Sequence, residues 1–368
     1  MYRLAGESIL NLPKEMTSIT LVPPADDSDV VWEQDWITRK MNRSLDRLTR
    51  YLWIPSMYLE PSERKGCDEL LVFRNGGRCS DTIIPQMDLE YETIRYKMNV
   101  LNCKGTGVNE ASLKETGKTS IEYRNGFSIC NSVISRQSHI SMRGINYGAP
   151  RGGITTDSAL RVEVRNEQMM LDNGLAHAPY VMVTKIPDQI QKRIDKYNAE
   201  NIYKRPYSEE SFGENWAGGG LAQVKRLFTT NIRMNRIRDA SFPAVVKKES
   251  ELEWLRPENL AGLIGRCDGK YKRFLDGLAA KGRFVNFIGT IKNNRTIDGL
   301  LVDGENFEPV DRVEDNDLRR MFDVSRKFIL RYSGTFGMGQ DGALNAVEAY
   351  NDTLEDESVE DCPMSIPK

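Results

Sequence analysis

Apolar residues recur every three to five positions between residues 28 and 53, the spacing that places side chains on one face of an α-helix. Ser28 or Asp29 is suited to the N-cap, and Pro55 ends the segment because proline has no backbone N–H. The pattern therefore predicts one amphipathic helix over residues 28–53, with an apolar stripe that packs against the core. The stripe consists of Trp32, Trp36, Met41, Leu45, Leu48 and Leu52.

Alternating apolar and polar residues follow, which is typical of β-structure. Residues 68–74 predict a strand, and residues 75–77 (Asn-Gly-Gly) predict the turn that ends it. Alternation over residues 88–101 predicts a longer strand, with a one-residue slip near Thr93 that we interpret as a bulge. Residues 119–142 also have strand character. Several long polar strands in succession indicate hairpins that extend from the body of the protein.

Helical and strand patterns alternate from residue 157 onward. Residues 157–173 predict a helix, residues 180–183 a buried strand, and Pro187 the start of a second helix. Glycines 218–220 predict a turn before a strand over residues 221–238. Further predicted elements are helices over 257–266, 270–281 and 316–333, and a strand pair between 283–291 and 300–302.

These elements divide the chain into four segments and place it in the α+β class. Residues 1–56 form an N-terminal arm with the amphipathic helix, and residues 57–156 form a strand-rich extended hairpin region. Residues 157–350 form a mixed α/β core, and residues 351–368 form an acidic C-terminal tail.

The composition is polar for a chain of 368 residues, with 39% hydrophobic and 28% charged residues. The mean hydropathy is −0.51. Such a composition suits an elongated shape, or a protein that buries surface against copies of itself. The net charge of −2 gives no overall attraction to nucleic acid or to an anionic membrane. Nucleic-acid binding therefore requires a local basic patch.

Cysteine and histidine usage weakens the common enzyme and metal hypotheses. The six cysteines form no Cys-x-x-Cys motif, which favours reduced thiols over a disulfide framework. Only His139 and His177 are present, and histidine is the commonest metal ligand and general base. No apolar run is long enough for a signal peptide or a membrane-spanning helix. We therefore expect a soluble protein of intracellular origin without a membrane partner.

Two glycine-containing motifs resemble phosphate-binding loops only in part. Residues 117–120 read Gly-Lys-Thr-Ser, but a phosphate-binding loop also requires a glycine at position 112, where Ser112 stands. Gly105 and Gly107 lack the third glycine of a dinucleotide fingerprint. Turns explain both motifs better. The sequence therefore predicts no catalytic residue, no cofactor-binding residue, no metal ligand and no cofactor.

A basic stretch between residues 225 and 248 is the predicted contact surface. It contains seven cations and one acidic residue, Asp239. On strands, these cations would line an edge or groove that contacts a phosphate backbone or a neighbouring subunit. The alternatives are a solvated face, or pairing with the acidic residues of 352–361 in another copy. The predicted contact residues are Lys225, Arg226, Arg233, Arg236, Arg238, Lys247 and Lys248.

The order of elements within residues 179–238 resembles that of tailed-bacteriophage coat proteins with the HK97-type fold. The matching residues are Val181-Met182-Val183-Thr184 in a strand, Pro187–Ile194 in a helix, the glycines 218–220, and Leu227–Ile232 in a strand. The resemblance implies an HK97-like coat architecture with an extended N-terminal arm, a long β-hairpin excursion and a mixed α/β core.

The function implied by the resemblance is structural: a self-assembling capsid protein that forms a homo-oligomeric shell around a viral genome, and not an enzyme. The expected partners are copies of the chain and other virion proteins, with non-specific nucleic-acid contact on the inward face. The expected location is the virion, assembled in the host cytoplasm. The first alternative is an RNA-binding nucleoprotein that uses residues 225–248. The second is an enzyme of unknown type, which would require a deep pocket with titratable groups.

Overall fold

A curled antiparallel sheet organises the part of the chain that can be described. The structure is a computed structural model that describes residues 16–75, 79–92, 94–106, 155–172, 177–197, 200 and 220–229, and single positions or pairs at 284–285, 296, 300, 302 and 309–310. Antiparallel strands and separate helices place these residues in the α+β class, as the sequence predicts.

The main sheet contains nine strands, and all its pairings are antiparallel. Hydrogen-bonded neighbours follow the order β2-β8-β9-β6-β5-β4-β1-β3, and the short β7 pairs with β9. Strand β9 therefore lies inside the sheet, between β8 and β6. The strands are β1 Met16–Val22, β2 Val30–Glu33, β3 Leu52–Ile54, β4 Asp68–Asn75, β5 Cys79–Tyr91, β6 Ile94–Lys104, β7 Thr155–Thr156, β8 Tyr180–Lys185 and β9 Leu221–Phe228.

Five α-helices lie in the described ranges: α1 Asp35–Thr38, α2 Arg43–Arg50, α3 Pro61–Arg64, α4 Asp157–Leu171 and α5 Asp188–Tyr197. Helix α4 covers one face of β8 and β9, where Leu160 and Val164 pack against Val183 and Val224. The isoleucines of α5 pack beside β3. The same apolar cluster includes Leu221 of β9, so it links β3 to β9 across the curl of the sheet.

The predicted single helix over residues 28–53 is wrong. The segment instead contains β2, α1, α2 and β3. Residues of β2 pair with β8, so sheet formation overrides the helical spacing at the start of the segment. The Asn42 side chain accepts a hydrogen bond from the backbone N–H of Leu45 at 2.9 Å, which begins a new helix. Leu45 and Thr49 of that helix are buried, so its inward face is the predicted one in part.

The predicted strand over residues 88–101 is a hairpin, and the slip near Thr93 is its turn and not a bulge. Strand β5 ends at Tyr91 and β6 begins at Ile94. Glu92 has a φ of 49°, a left-handed conformation that tight turns require and non-glycine residues seldom adopt. The irregular register lies instead between Ile83 and Met87.

The far half of this hairpin extends beyond its neighbours. Pairing of β4 with β5 stops at Asp81, and pairing of β9 with β6 covers only Val100–Lys104. Residues 87–98, which we call the ribbon, therefore pair only with each other among the described strands. One side of the ribbon packs inward, where the Trp36 ring lies 5.2 Å from that of Tyr91.

A glutamine side chain closes the curl of the sheet. Strand β3 stands at one end of the strand order and β9 stands third from the other end. The backbone N–H of Trp53 in β3 donates to Gln223 Oε1 at 2.9 Å, and Gln223 Nε2 donates to the Trp53 carbonyl at 2.8 Å. The amide of Gln223 therefore takes the place of a neighbouring strand for Trp53, and the sheet folds back on itself.

Several predicted elements of the core are confirmed. A strand occupies 68–75, a helix occupies 157–171, and a strand occupies 180–185. Helix α5 starts beside Pro187, whose carbonyl accepts from the backbone N–H of Gln191 at 3.0 Å. Strand β9 confirms the start of the strand predicted over 221–238. The elements predicted over 119–142, 257–281 and 316–333 lie outside the described residues.

The strand pair predicted between 283–291 and 300–302 differs from the pairing found. Strand β10, Phe284–Val285, pairs with β11, Pro309–Val310, in a small separate sheet. The backbone N–H of Thr296 instead donates to the Leu300 carbonyl at 2.9 Å, which makes a local turn contact.

The main sheet draws strands from three of the four predicted segments. Strand β1 belongs to the segment predicted as an arm, yet it pairs with β3 and β4. Strands β4, β5 and β6 belong to the predicted hairpin region, and β8 and β9 to the predicted core. The described parts of these segments therefore share one sheet, while the acidic tail lies outside the described residues.

Candidate functional site: charges buried in the sheet and exposed on the ribbon

Lys225 and Arg226 lie in the interior of the protein and not on an edge or a surface. Both belong to β9, which has β8 and β6 as its neighbours, and both side chains are fully buried. Successive residues of a strand point to opposite faces, so the two cations cannot form one basic surface. This is a correction of the predicted edge for these two residues. The other five predicted contact residues, Arg233, Arg236, Arg238, Lys247 and Lys248, lie outside the described residues.

Arg226 belongs to a hydrogen-bonded chain across three strands. Its Nε donates to Asn102 Oδ1 at 2.9 Å, and Asn102 Nδ2 donates to Asp81 Oδ1 at 2.6 Å. The guanidinium also lies 5.7 Å from the centre of the Tyr180 ring, within the range of a cation–π contact. A buried arginine is thus held by a neutral amide, an aromatic ring and, through the amide, a carboxylate.

Lys104 of β6 and Glu163 of α4 form a buried ion pair on the same face as Arg226. Lys104 Nζ contacts Glu163 Oε1, and both side chains are almost completely buried, at 1% and 0% exposed. The other oxygen of Glu163, Oε2, accepts a hydrogen bond from the Tyr180 hydroxyl at 2.8 Å. This carboxylate therefore ties the helix to two strands of the sheet. Removing either partner of such a pair leaves an uncompensated buried charge.

Glu167 lies one helical turn beyond Glu163 and is also fully buried. Its Oε1 accepts a hydrogen bond from the backbone N–H of Tyr180 at 3.0 Å, while its Oε2 has no hydrogen-bond partner among the described residues. Burial raises the pKa of Glu167 well above its usual value; the bond from Tyr180 opposes that shift, and the nearby charge of Asp172 adds to it. Burial therefore shifts this carboxyl toward its protonated form relative to an exposed glutamate.

Lys225 faces the inside of the curl. Its Nζ donates to Gln223 Oε1 at 3.3 Å and lies 5.6 Å from the centre of the Trp53 ring. Burial lowers the pKa of Lys225, and the neighbouring Cys103 opposes that shift. Burial likewise raises the pKa of the Cys103 thiol to about 11, with Lys225 acting against it. The environment thus favours an unreactive thiol, since the thiolate is the nucleophilic form.

These buried groups hold the sheet and helix together. Each of Lys104, Lys225 and Arg226 already contacts protein donors, acceptors or rings. A phosphate could reach these cations only by displacing buried partners, which is costly without compensation. Among the described residues, no group of three or more histidine, cysteine, aspartate and glutamate side chains is placed to hold a metal ion.

Sequence reasoning missed the members of this cluster, although one signal for them exists. Glu163 and Glu167 stand four residues apart on the helix and alternate with the buried Leu160 and Val164. Acidic residues on the apolar face of an amphipathic helix require partners in the core. In β6, Asn102 and Lys104 are polar positions in the buried second half of the strand, beside the apolar Val100, Leu101 and Cys103.

The ribbon presents a second, exposed charge arrangement. Asp88 and Glu90 are exposed on β5, and Arg95 and Lys97 are exposed on β6. The register places Asp88 opposite Lys97 and Glu90 opposite Arg95. The outward face therefore carries an acidic column beside a basic column. Because residues two apart on a strand share a face, the buried ribbon residues point the other way.

Comparison with known proteins gives no family for this chain. No family model matches it, and no curated protein matches it. None of the helices in the described ranges is long and apolar enough to cross a membrane. The candidate sites therefore rest on the geometry given above.

Proposed function

We propose that this chain is a self-assembling coat protein that forms a shell around a viral genome. The observation that carries the proposal is the ribbon, residues 87–98, which extends beyond the strands on both sides of it. The inner face of this hairpin packs on the main core through Leu89, Ile94 and Tyr96, whereas its outer face is charged and exposed. Contact with a neighbouring subunit would give that face a partner.

The finer architecture proposed is the HK97 type, with the hairpin excursion and the α/β segment of residues 179–238 as its supporting features. The strand, proline-initiated helix and second strand of that segment are present as β8, α5 and β9. Their pairing within one sheet supports a packed core behind the excursion. The proposed partners are copies of the chain and other virion proteins, and the proposed location is the virion after assembly in the host cytoplasm.

Genome contact, in this proposal, falls on cations other than Lys225 and Arg226. Those two side chains are fully buried, so they are not available to a phosphate backbone. The non-specific contact is assigned to Arg233, Arg236, Arg238, Lys247 and Lys248. The same residues carry the nucleoprotein alternative, which therefore loses two of its seven predicted cations.

A second candidate function is catalysis, or binding of a small anionic ligand that compensates for the buried partners it displaces, and the buried charge cluster is the observation that favours it. Clusters of buried titratable groups with shifted pKa values, such as Glu167, occur frequently at active sites. Stabilisation of the purified protein by inorganic phosphate or nucleotides in a thermal-shift assay would support this candidate. Structural ion pairs also shift pKa values, so the coat function remains the main proposal.

The test of the coat proposal is assembly of the purified chain after nuclease treatment. We expect closed shells or regular arrays in negative-stain electron microscopy, and large species in light scattering after size-exclusion chromatography. A monodisperse monomer at high protein concentration would contradict the proposal. Assembly that appears only when RNA is added back, and that declines with salt, would favour the nucleoprotein instead.

A further inference from the structure

The exposed face of the ribbon is self-complementary in charge. Its acidic column, Asp88 and Glu90, runs beside its basic column, Arg95 and Lys97, at the spacing of adjacent strands. A face with one column of each sign can meet an identical face if the second copy is turned so that opposite columns coincide. An isologous contact has this property, because the same patch serves on both sides.

Ion pairs within the hairpin satisfy the charges of the two columns only in part. Arg95 Nε lies 3.6 Å from Glu90 Oε1, and the two side chains are 76% and 56% exposed. Asp88 accepts a hydrogen bond from Gln86 Nε2 at 3.1 Å, and no ion pair joins it to Lys97 in the described part of the chain. An exposed pair of this kind contributes little to stability, because water solvates both charges. The columns therefore remain available to a partner.

Symmetry selects one orientation for two such faces. Rotation by half a turn about an axis parallel to the strands places the acidic column of each copy over the basic column of the other. Rotation about an axis across the strands, within the interface, places acid over acid and base over base. Side-by-side pairing of two β5 edges also places acidic columns together, and like charges directly opposite are destabilising.

We propose that the outward face of residues 87–98 is a homotypic contact that docks on the same face of a second copy of this chain, with the two ribbons parallel. The inference rests on the proposed self-assembly, of which it names one contact. The two columns contribute four charged side chains, far fewer than the roughly 20–30 residues per partner of a stable specific interface, so this contact acts together with others in a shell. The acidic column repels a phosphate backbone, so nucleic acid is not the proposed occupant.

Charge reversal on either column tests the contact. The double variant Asp88→Lys, Glu90→Lys makes both columns basic, and Arg95→Glu, Lys97→Glu makes both columns acidic. We expect each variant alone to raise the protein concentration needed for assembly by about tenfold or more, because like charges then meet. Mixing the two variants is expected to restore assembly, since a basic face then meets an acidic one.

The mixture separates contact between copies from pairing within a hairpin. Each reversed hairpin keeps its internal repulsion in the mixture, so only contact between copies can restore assembly. The matched control, Arg64→Glu with Lys65→Glu, reverses two exposed cations outside the ribbon and is expected to leave assembly unchanged. Circular dichroism is used to check that all variants are folded.

Three results would overturn the inference, and the first two are distinct from failure of the coat proposal. If the wild-type protein assembles and either ribbon variant assembles equally well alone, the ribbon contact is wrong and the coat proposal stands. If the mixture fails to assemble while both variants are folded, the ribbon contact is likewise wrong. If the wild-type protein is monomeric at every concentration, both proposals fail.

Discussion

Individual buried side chains strongly affect the folding stability of this protein, and Glu167 is the clearest case. Its carboxyl accepts one hydrogen bond from the backbone N–H of Tyr180, and its second oxygen has no partner in the part of the chain that the structure describes. Burial raises its pKa, so the folded protein binds this proton more tightly than the unfolded chain does. Folding stability then falls as the pH rises from about 4.3, the usual value, through the raised value.

The substitution Glu167→Gln is expected to stabilise the protein near neutral pH. Glutamine has the same shape and keeps an oxygen for the Tyr180 N–H, and it removes the ionisation cost. We expect the free energy of unfolding to increase by about 1–3 kcal/mol, with the gain disappearing toward acid pH, where the glutamate is protonated. Thermal unfolding followed across pH measures both effects.

The neighbouring Glu163→Gln serves as the opposite control. It removes the carboxylate that Lys104 contacts, so we expect a loss of about 3–5 kcal/mol at neutral pH. Equal effects of the two substitutions would contradict the different roles given to the carboxyls, with burial favouring the protonated form of Glu167 and Lys104 contacting Glu163.

For single residues, the sequence indicated which positions are charged but not whether they are buried or which residues they contact. The basic character of Lys225 and Arg226 is evident from the sequence, but their burial depends on β9 lying between two other strands. The pairing of Lys104 with Glu163 joins residues 59 positions apart, and no local pattern encodes a contact at that distance.

Among the elements, β3 depends on a side chain in β9. Trp53 uses both its backbone N–H and its carbonyl to bond the amide of Gln223. An amide is the side chain that both donates and accepts in this way, as a backbone peptide group does.

The substitution Gln223→Ala is expected to cost about 2–4 kcal/mol of folding stability, because two buried backbone groups of Trp53 lose their partner. Denaturant unfolding measures this loss. Wild-type stability for Gln223→Ala would contradict the closure of the curl by this side chain.

The prediction of one helix over residues 28–53 was wrong for a physical reason that is visible in the spacing of its apolar residues. The apolar stripe advances by four, five, four, three and four residues, and the step of five falls between Trp36 and Met41. A continuous helix tolerates such a step poorly, and this is where α1 ends and Asn42 caps α2. Strand residues 30–33 have side chains that suit either structure, and β8 decides between them.

For the whole molecule, the contacts proposed between copies are electrostatic, and assembly should therefore depend on salt. We expect shells to form readily at low ionic strength and to dissociate as salt approaches about 1 M, where charges are screened within about 3 Å. Light scattering across a salt series measures this. The mixed ribbon variants should show the same dependence, whereas assembly that strengthens with salt would indicate apolar contacts instead.

The class of fold was within reach of the sequence, but its connectivity was not. Core elements such as α4 and β8 follow from strong periodicity and clear end signals. The strand order could not be predicted, since it joins β1 to β4 and β6 to β9 across long separations. The separation into an arm, a hairpin region and a core likewise failed to foresee that their strands share one sheet.

The bond between Trp53 and Gln223 has a consequence for biosynthesis. The two residues are 170 positions apart, so the first 54 residues leave the ribosome long before their partner is made. During that interval β3 lacks the group that satisfies its backbone, and the apolar residues behind it stay uncovered. Completion of the curl must therefore wait for β9, so we expect β3 and the apolar residues packed behind it to need protection by chaperones until then.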